Sequence, residues 1–263
     1  MSENEKGATR RELLKTAATA AVAAAASGVA KSRAFAVAPA RVLGANDRIR
    51  IGFVGVGGQG MTHMRLLKEN AEENNTESVA VCDLYRRRKK EAQAFAELPD
   101  SAAYEDFRKL LERKDIDAVW IATSDNWHAP VAIAAMEAGK HVYIEKPMCR
   151  TIEEAFAIYD TAKRTGRVVQ VGSQGCSDQK WHVAGQVVRE GRIGHVVQAQ
   201  GSYCRNSKIG EWNYYTIHKD AGPHATGDGY VNWDMFRMGK EPKAWDPDRF
   251  FRWRKYWAYG NGI

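Results

Sequence analysis

Residues 48–54 alternate polar and apolar side chains and then run apolar, the pattern of a strand entering a buried sheet. Four more short apolar runs follow, at residues 78–83, 118–123, 141–145 and 168–171. Helical spacing separates them. Met64, Leu66 and Leu67 mark one helix, and residues 106–113 read as a second, short one. Residues 129–138 predict a third, with Pro130 in its first turn and Gly139 at its end. Thr151-Ile152-Glu153-Glu154 is a capping box that opens a fourth, with apolar Ile152, Ala155, Phe156 and Tyr159 on one face and Gly166 closing it. Strands alternating with helices imply a parallel sheet covered on both faces, an α/β fold of Rossmann type over residues 46–172.

Beyond residue 172 the texture changes. Six of the eight tryptophans fall there (Trp181, Trp212, Trp233, Trp245, Trp253 and Trp257), with six tyrosines. Aromatic faces pack well against sugar rings, and they also dominate cores and interfaces. The pattern alone leaves both readings open.

Composition changes this picture at the amino terminus. The chain has 263 residues and a net charge of +7, which raises the question of a nucleic-acid partner. Residues 1–40 hold six Lys/Arg and three Glu; the remaining 33 basic and 29 acidic residues leave +4 for the rest. The densest basic run there, residues 86–90, reads as the solvated start of a helix, and no nucleic-acid signature accompanies it. No nucleic-acid partner is expected. Thr9-Arg10-Arg11-Glu12-Leu13-Leu14-Lys15 precedes fifteen uncharged, alanine-rich residues, and A-x-A patterns follow at residues 34–36 and 38–40. Twin arginines before a weakly apolar stretch are the layout of a Tat signal peptide over residues 1–40, implying the Tat export machinery as a partner and a periplasmic location. The stretch is too short and alanine-rich for a membrane span. The four cysteines show no CxxC pairing and read as scattered thiols.

In a parallel sheet ligands sit at the carboxyl ends of the strands, so the residues just past each strand carry the chemistry. Gly55-Val56-Gly57-Gly58-Gln59-Gly60 follows the first strand directly and opens a helix, the context a GxGxxG motif requires. Gly55 permits the tight turn, Gly57 admits a pyrophosphate, and Gly60 lets helix and strand pack closely. Asp83 ends the second strand, where a carboxylate accepts hydrogen bonds from both ribose hydroxyls of NAD and repels the 2′-phosphate of NADP. Arg86 and Arg87 stand close enough to oppose that preference, but NAD is favoured. An N-cap is the alternative role for Asp83. The later strand ends offer Thr123, Asn126 and His128, then Glu145, Lys146 and Pro147. His128 either contacts the cofactor or starts the following helix. No metal site is expected.

The glycine loop, the Thr-x-x-x-x-His ending of residues 118–128 and the run Ala138-Gly139-Lys140-His141-Val142-Tyr143-Ile144-Glu145-Lys146-Pro147 together resemble the Gfo/Idh/MocA oxidoreductases. The resemblance spans residues 46–263. It implies that Lys146 lies beside nicotinamide and substrate as the catalytic residue, assisting the proton as hydride leaves a sugar or polyol carbon. Gln174 resembles the polar residue placed near the nicotinamide, and Pro147 fixes the local turn. Gly191-Arg192-Ile193-Gly194 leads into a strand at residues 195–199, the entry into a second domain. That domain is an open antiparallel α+β sheet used for substrate binding and oligomerisation. Residues 173–263 are expected to hold it incompletely, because the chain ends before the second catalytic element. An NAD-dependent exported glycosidase and a non-catalytic dinucleotide-binding module are the alternatives to a dehydrogenase.

Overall fold

The computed structural model describes residues 48–204 and 206–261. Six strands form one sheet, β1 (Ile49–Val54), β2 (Thr76–Cys82), β3 (Ala103–Tyr104), β4 (Ala118–Ile121), β5 (His141–Glu145) and β6 (Val169–Gly172). Their order is β3-β2-β1-β4-β5-β6, and every pair is parallel. The α/β Rossmann-type sheet is therefore as expected, with the two-residue β3 added at one edge. The order reverses between β1 and β4, which opens a crevice above the carboxyl ends of these two strands.

Helices α1 (Gly58–Glu69), α2 (Ala71–Asn74) and α3 (Arg86–Phe95) belong to the first half, and α4 (Phe107–Leu111), α5 (Asp125–Glu137) and α6 (Ile152–Thr165) follow. Ile51, Phe53, Val81, Met64, Leu67 and Ala92 fill one layer between the sheet and α1 and α3. Val54, Leu110, Ile121, Val131, Ile144 and Ile158 fill the other. Local chemistry sets several helix ends. Asp106 caps α4 by accepting the Arg108 N–H at 2.9 Å. Thr151 caps α6 by accepting the Glu154 N–H at 3.2 Å, and Gly166 ends that helix at φ 64°.

One helix boundary changes. Helix α5 begins at Asp125, four residues early, so Pro130 lies inside it. Contacts from far along the chain hold the added turn: Tyr259 O accepts the Asn126 N–H at 3.2 Å, and Phe236 O accepts the Trp127 indole N–H at 3.2 Å. The apolar stripe of α6 points outward. Ile152, Phe156 and Tyr159 are exposed, whereas Ile158 and Thr161 are buried.

The later residues form α7 (Gln179–Arg189), α8 (Trp233–Arg237) and α9 (Pro247–Phe251). Among the described residues, 173–261 contribute no strand to any sheet, only the isolated bridges Tyr85–Val231 and Gly222–Tyr230. Residues 195–199, expected as a strand opening an antiparallel sheet, are irregular and exposed. A strand needs a neighbouring ladder for its N–H and C=O groups, and none lies beside them. Instead Val231, Trp233, Phe236, Phe250, Phe251 and Tyr259 form a third core with Tyr85, docked at the carboxyl ends of the strands. No helix among the described residues is long and apolar enough to cross a membrane. Residues 1–40, read as an export signal, lie outside the described residues.

Candidate active site

The glycine loop is shaped by what a side chain would strike. Gly55 has φ 85°, and a Cβ there would lie 2.7 Å from the Ala122 and Thr123 backbone. A Cβ on Gly60 would lie 2.1 Å from the Gly55 carbonyl oxygen. These two glycines let α1 start hard against β1 and β4. Gly58 differs, because its Cβ would meet nothing within 4 Å. The first helical bond of α1 runs from the Met61 N–H to Gly57 O at 2.8 Å, so the amides of Gly58, Gln59 and Gly60 have no partner within the helix. No side chain caps this end and no acid stands in its first turn. It is an open, electropositive helix start.

Past β2, Asp83 folds back over this loop. Its Oδ2 accepts the Val56 N–H and its Oδ1 the Tyr85 N–H, each at 2.9 Å. It does not cap α3, whose N-cap position is Tyr85. Residues 86–88 are half-buried rather than solvated. Arg86 donates to Gly227 O at 3.0 Å and rests on the Tyr230 ring, while Arg87 pairs with Asp220 and donates to His218 Nδ1 at 2.7 Å. Both turn away from the loop and leave the field to Asp83. Arg88, which sequence reasoning missed, turns towards it. Its guanidinium lies 3.4 Å from where a Gly57 Cβ would sit, packed on Tyr85, Phe250 and Phe251.

The loops after β4 and β5 are locked together. His128, 1% exposed within α5, places Nδ1 2.6 Å from Pro147 O and Nε2 3.2 Å from Thr123 O. Burial pushes this imidazole below its ordinary pKa, against the raising pull of the Pro147 carbonyl, the Asp125 carboxyl and the Thr123 carbonyl. Asp125 is buried beside it, its Oδ2 accepting the Asn261 N–H at 3.1 Å; burial raises its carboxyl against the lowering pull of His128, this N–H, Arg254 and Arg150. Glu145 accepts from His63 Nε2 at 2.8 Å and Gln59 Nε2 at 3.1 Å. Burial pushes the Glu145 carboxyl up, but these partners and the Lys146 N–H hold it below the usual carboxylate value. Lys146 follows with an exposed side chain, and the Lys146–Pro147 peptide bond is cis.

One cleft of about 340 Å³ collects these groups. Gly55, Gly57, Gly58, Asp83, Thr123, His128, Glu145, Lys146 and Gln174 line it. Gly60, Asn126 and Pro147, expected at the cofactor, do not. Gly60 packs under the loop, and Pro147 offers its carbonyl to His128. The Asn126 amide is committed to Ser124 Oγ at 2.7 Å and to Phe236 O and Met238 Sδ. The facing wall carries Tyr215, Phe250, Phe251, Trp253 and Arg254, 130 or more positions beyond Asp83 and without a motif to announce them. The nearest sequence signal was the aromatic enrichment itself. The four cysteines are free thiols.

A switch-point crevice whose floor is an uncapped helix start has the form of a dinucleotide-binding domain. Residues 49–173 match the oxidoreductase family with NAD-binding Rossmann fold, GFO_IDH_MocA, and this part of the chain belongs to that family. A glycosyl hydrolase family 109 protein of Shewanella pealeana is 32% identical over 238 residues, covering 81% of this chain and 52% of its own length. An alpha-N-acetylgalactosaminidase of Shewanella oneidensis is 31% identical over 198 residues, covering 73% of this chain and 41% of its own. Levoglucosan dehydrogenase, solved in complex with NADH, matches at a TM-score of 0.51 and 29% identity, over 57% of this chain and 41% of that one. The chain spans about half the length of the curated relatives it matches.

Proposed function

We propose that this chain is the dinucleotide-binding part of an NAD-dependent oxidoreductase acting on a carbinol carbon of a sugar or polyol. The observation that carries the reading is the single cleft shared by the open start of α1 and by Lys146. The residues present fit a dinucleotide. The free amides of Gly58 and Gln59 and the Arg88 guanidinium would hold its phosphates. Asp83 would accept its ribose hydroxyls, because each oxygen keeps a lone pair after its one backbone contact. That carboxylate repels an additional 2′-phosphate, which favours NAD over NADP. When bound, NAD supplies the hydride acceptor. Lys146 Nζ holds and passes the proton of the substrate hydroxyl, while His128, from the helix after β4, holds the Pro147 carbonyl and keeps that lysine's turn in place.

The relatives favour a second reading in which the same site serves glycoside cleavage, since two of them carry hydrolase or galactosaminidase names. NADH emission titration of the purified protein, followed by a panel of sugars and polyols, tests the first reading. Turnover lost in Lys146→Met with NADH affinity retained supports it; no dinucleotide binding sinks it. Release of the phenol from an aryl N-acetylgalactosaminide without net NAD reduction selects the second.

Export through the Tat route accords with this chemistry, because that route carries folded proteins and a dinucleotide loaded in the cytoplasm would travel along. Replacing Arg10 and Arg11 by lysine should retain the protein inside the cell; unaltered export would overturn this.

A further inference from the structure

Glu145 is 5% exposed, and its two oxygens serve different parts of the molecule. Oε1 accepts from His63 Nε2 at 2.8 Å and Gln59 Nε2 at 3.1 Å. Oε2 accepts the backbone N–H of Lys146 at 3.1 Å. His63 and Gln59 stand one turn apart on α1, the helix that begins at the glycine loop. Lys146 is the first residue beyond β5. One carboxylate therefore ties the dinucleotide helix to the peptide unit that carries the lysine. No sheet ladder makes this link, because β4 lies between β1 and β5.

The His63 end is held as firmly. Its ring is 7% exposed, stacked on Trp120 at 5.4 Å and 14°, and met edge-on by Tyr143 at 5.3 Å. Burying a carboxylate against an imidazole is a poor route to stability, since desolvation offsets most of the attraction. What such a pair secures is geometry.

We propose that His63 and Glu145 are positioning residues that hold Lys146 in register with the glycine loop, so that one rigid unit sets both the seated dinucleotide and the lysine. This rests on the reading of Lys146 as the proton-handling group. Residue-resolved amide hydrogen exchange on the full chain tests it without a substrate. In Glu145→Ala the Lys146 amide should exchange at least about tenfold faster, the loss expected for a hydrogen bond to a charged acceptor. Core amides of β1 and β4 should be unchanged. Glu145→Gln keeps an acceptor for the Lys146 N–H and should restore most of the protection. His63→Leu should expose the same amide by about threefold or more, and His63→Gln, which still donates to Glu145, should reverse this.

In turnover, His63→Leu should lower kcat by about tenfold while NADH affinity changes by less than about threefold. Lys146 exchange within twofold of the parent in both Glu145→Ala and His63→Leu would overturn the proposal. So would full kcat with lost NADH affinity, which would make the pair part of the dinucleotide site alone. If His63→Leu does not fold, Glu145→Ala against Glu145→Gln decides the question. Unchanged turnover in Lys146→Met would sink the role of the lysine and leave the exchange result standing, so the two failures are distinguishable.

Discussion

Asp83 reaches back across the glycine loop to Val56, its Oδ2 accepting that N–H at 2.9 Å while Oδ1 holds the Tyr85 N–H at the same distance. The acid proposed to select the ribose thus also shapes the loop proposed to receive the phosphates. Asp83→Ala should therefore weaken NADH binding by about tenfold or more and cost about 1–3 kcal/mol of stability, because two amides lose a charged acceptor. Asp83→Asn keeps one strong acceptor, so it should lose less affinity and narrow the preference for NADH over NADPH. Paired emission titrations with the two dinucleotides measure both effects. Equal NADH affinity in Asp83→Ala would remove Asp83 from the site.

The glycines of the loop should separate by role. Gly60→Ala places a methyl 2.1 Å from a backbone oxygen that cannot move without parting α1 from β1, so thermal stability should fall by about 2 kcal/mol or more. Gly58→Ala meets nothing within 4 Å in the protein, and alanine lowers the entropy cost of the first turn. This variant should fold at least as stably as the parent, yet bind NADH about tenfold more weakly, because the methyl stands at the cleft where a phosphate approaches closely. Melting curves and NADH titration on the two variants provide the check.

These two glycines and Asp83 were legible in the sequence because the elements that place them are contiguous: strand, loop, helix, strand, acid. The same holds for Glu145 and Lys146, which end a strand that the apolar run marks plainly. What local pattern could not show were contacts made across the chain. The first turn of α5 exists because Tyr259 and Phe236 supply backbone acceptors from more than a hundred residues away, and this draws Asn126 out of the cleft. Arg88 sits in a run of five basic residues, and only the docking of Phe250 and Phe251 distinguishes it from Arg86 and Arg87. The α6 stripe shows the converse limit. Periodicity finds an apolar face but does not say which way it turns.

Arg150 carries the attachment of the late segment to the loop after β5. Its guanidinium donates to Ala258 O at 3.1 Å and to Trp257 O, while the Asn261 amide donates to Cys149 O at 3.2 Å. Arg150→Ala should lower stability by about 1–3 kcal/mol and speed proteolysis near residue 257, since two carbonyls lose a charged donor. Arg150→Lys should recover little, because a single ammonium does not reproduce a fork that spans two carbonyls. Limited proteolysis with mass mapping of the first cut tests both variants, and an unchanged cutting pattern in Arg150→Ala would argue against the clamp.

Asp125 should make the fold less stable as pH rises through the acid range. Burial lifts its carboxyl above the ordinary value, more than His128, the Asn261 N–H, Arg254 and Arg150 together pull it down. A carboxyl raised on folding binds its proton more tightly in the native state than in the unfolded chain. Stability therefore falls with pH from the unfolded aspartate value of about 3.9 up to the raised native one, and the whole cost is present above that. His128 adds the opposite slope. Its imidazole is lowered by burial, so the native state loses stability as pH falls below the unfolded histidine value of about 6.5. Asp125→Asn retains an oxygen for the Asn261 N–H and removes only the charge. It should melt higher than the parent at pH 7, by about 2–4 °C for each kcal/mol recovered. The advantage should shrink as pH falls and approach zero only below about pH 3, where the parent carboxyl is protonated in both states. The difference between their melting curves from about pH 2.5 to 7.5 reports the aspartate together with its pull on His128, whose imidazole the Asp125 charge raises. A parent more stable than the variant at pH 7 would show that the attraction of the two arginines outweighs burial.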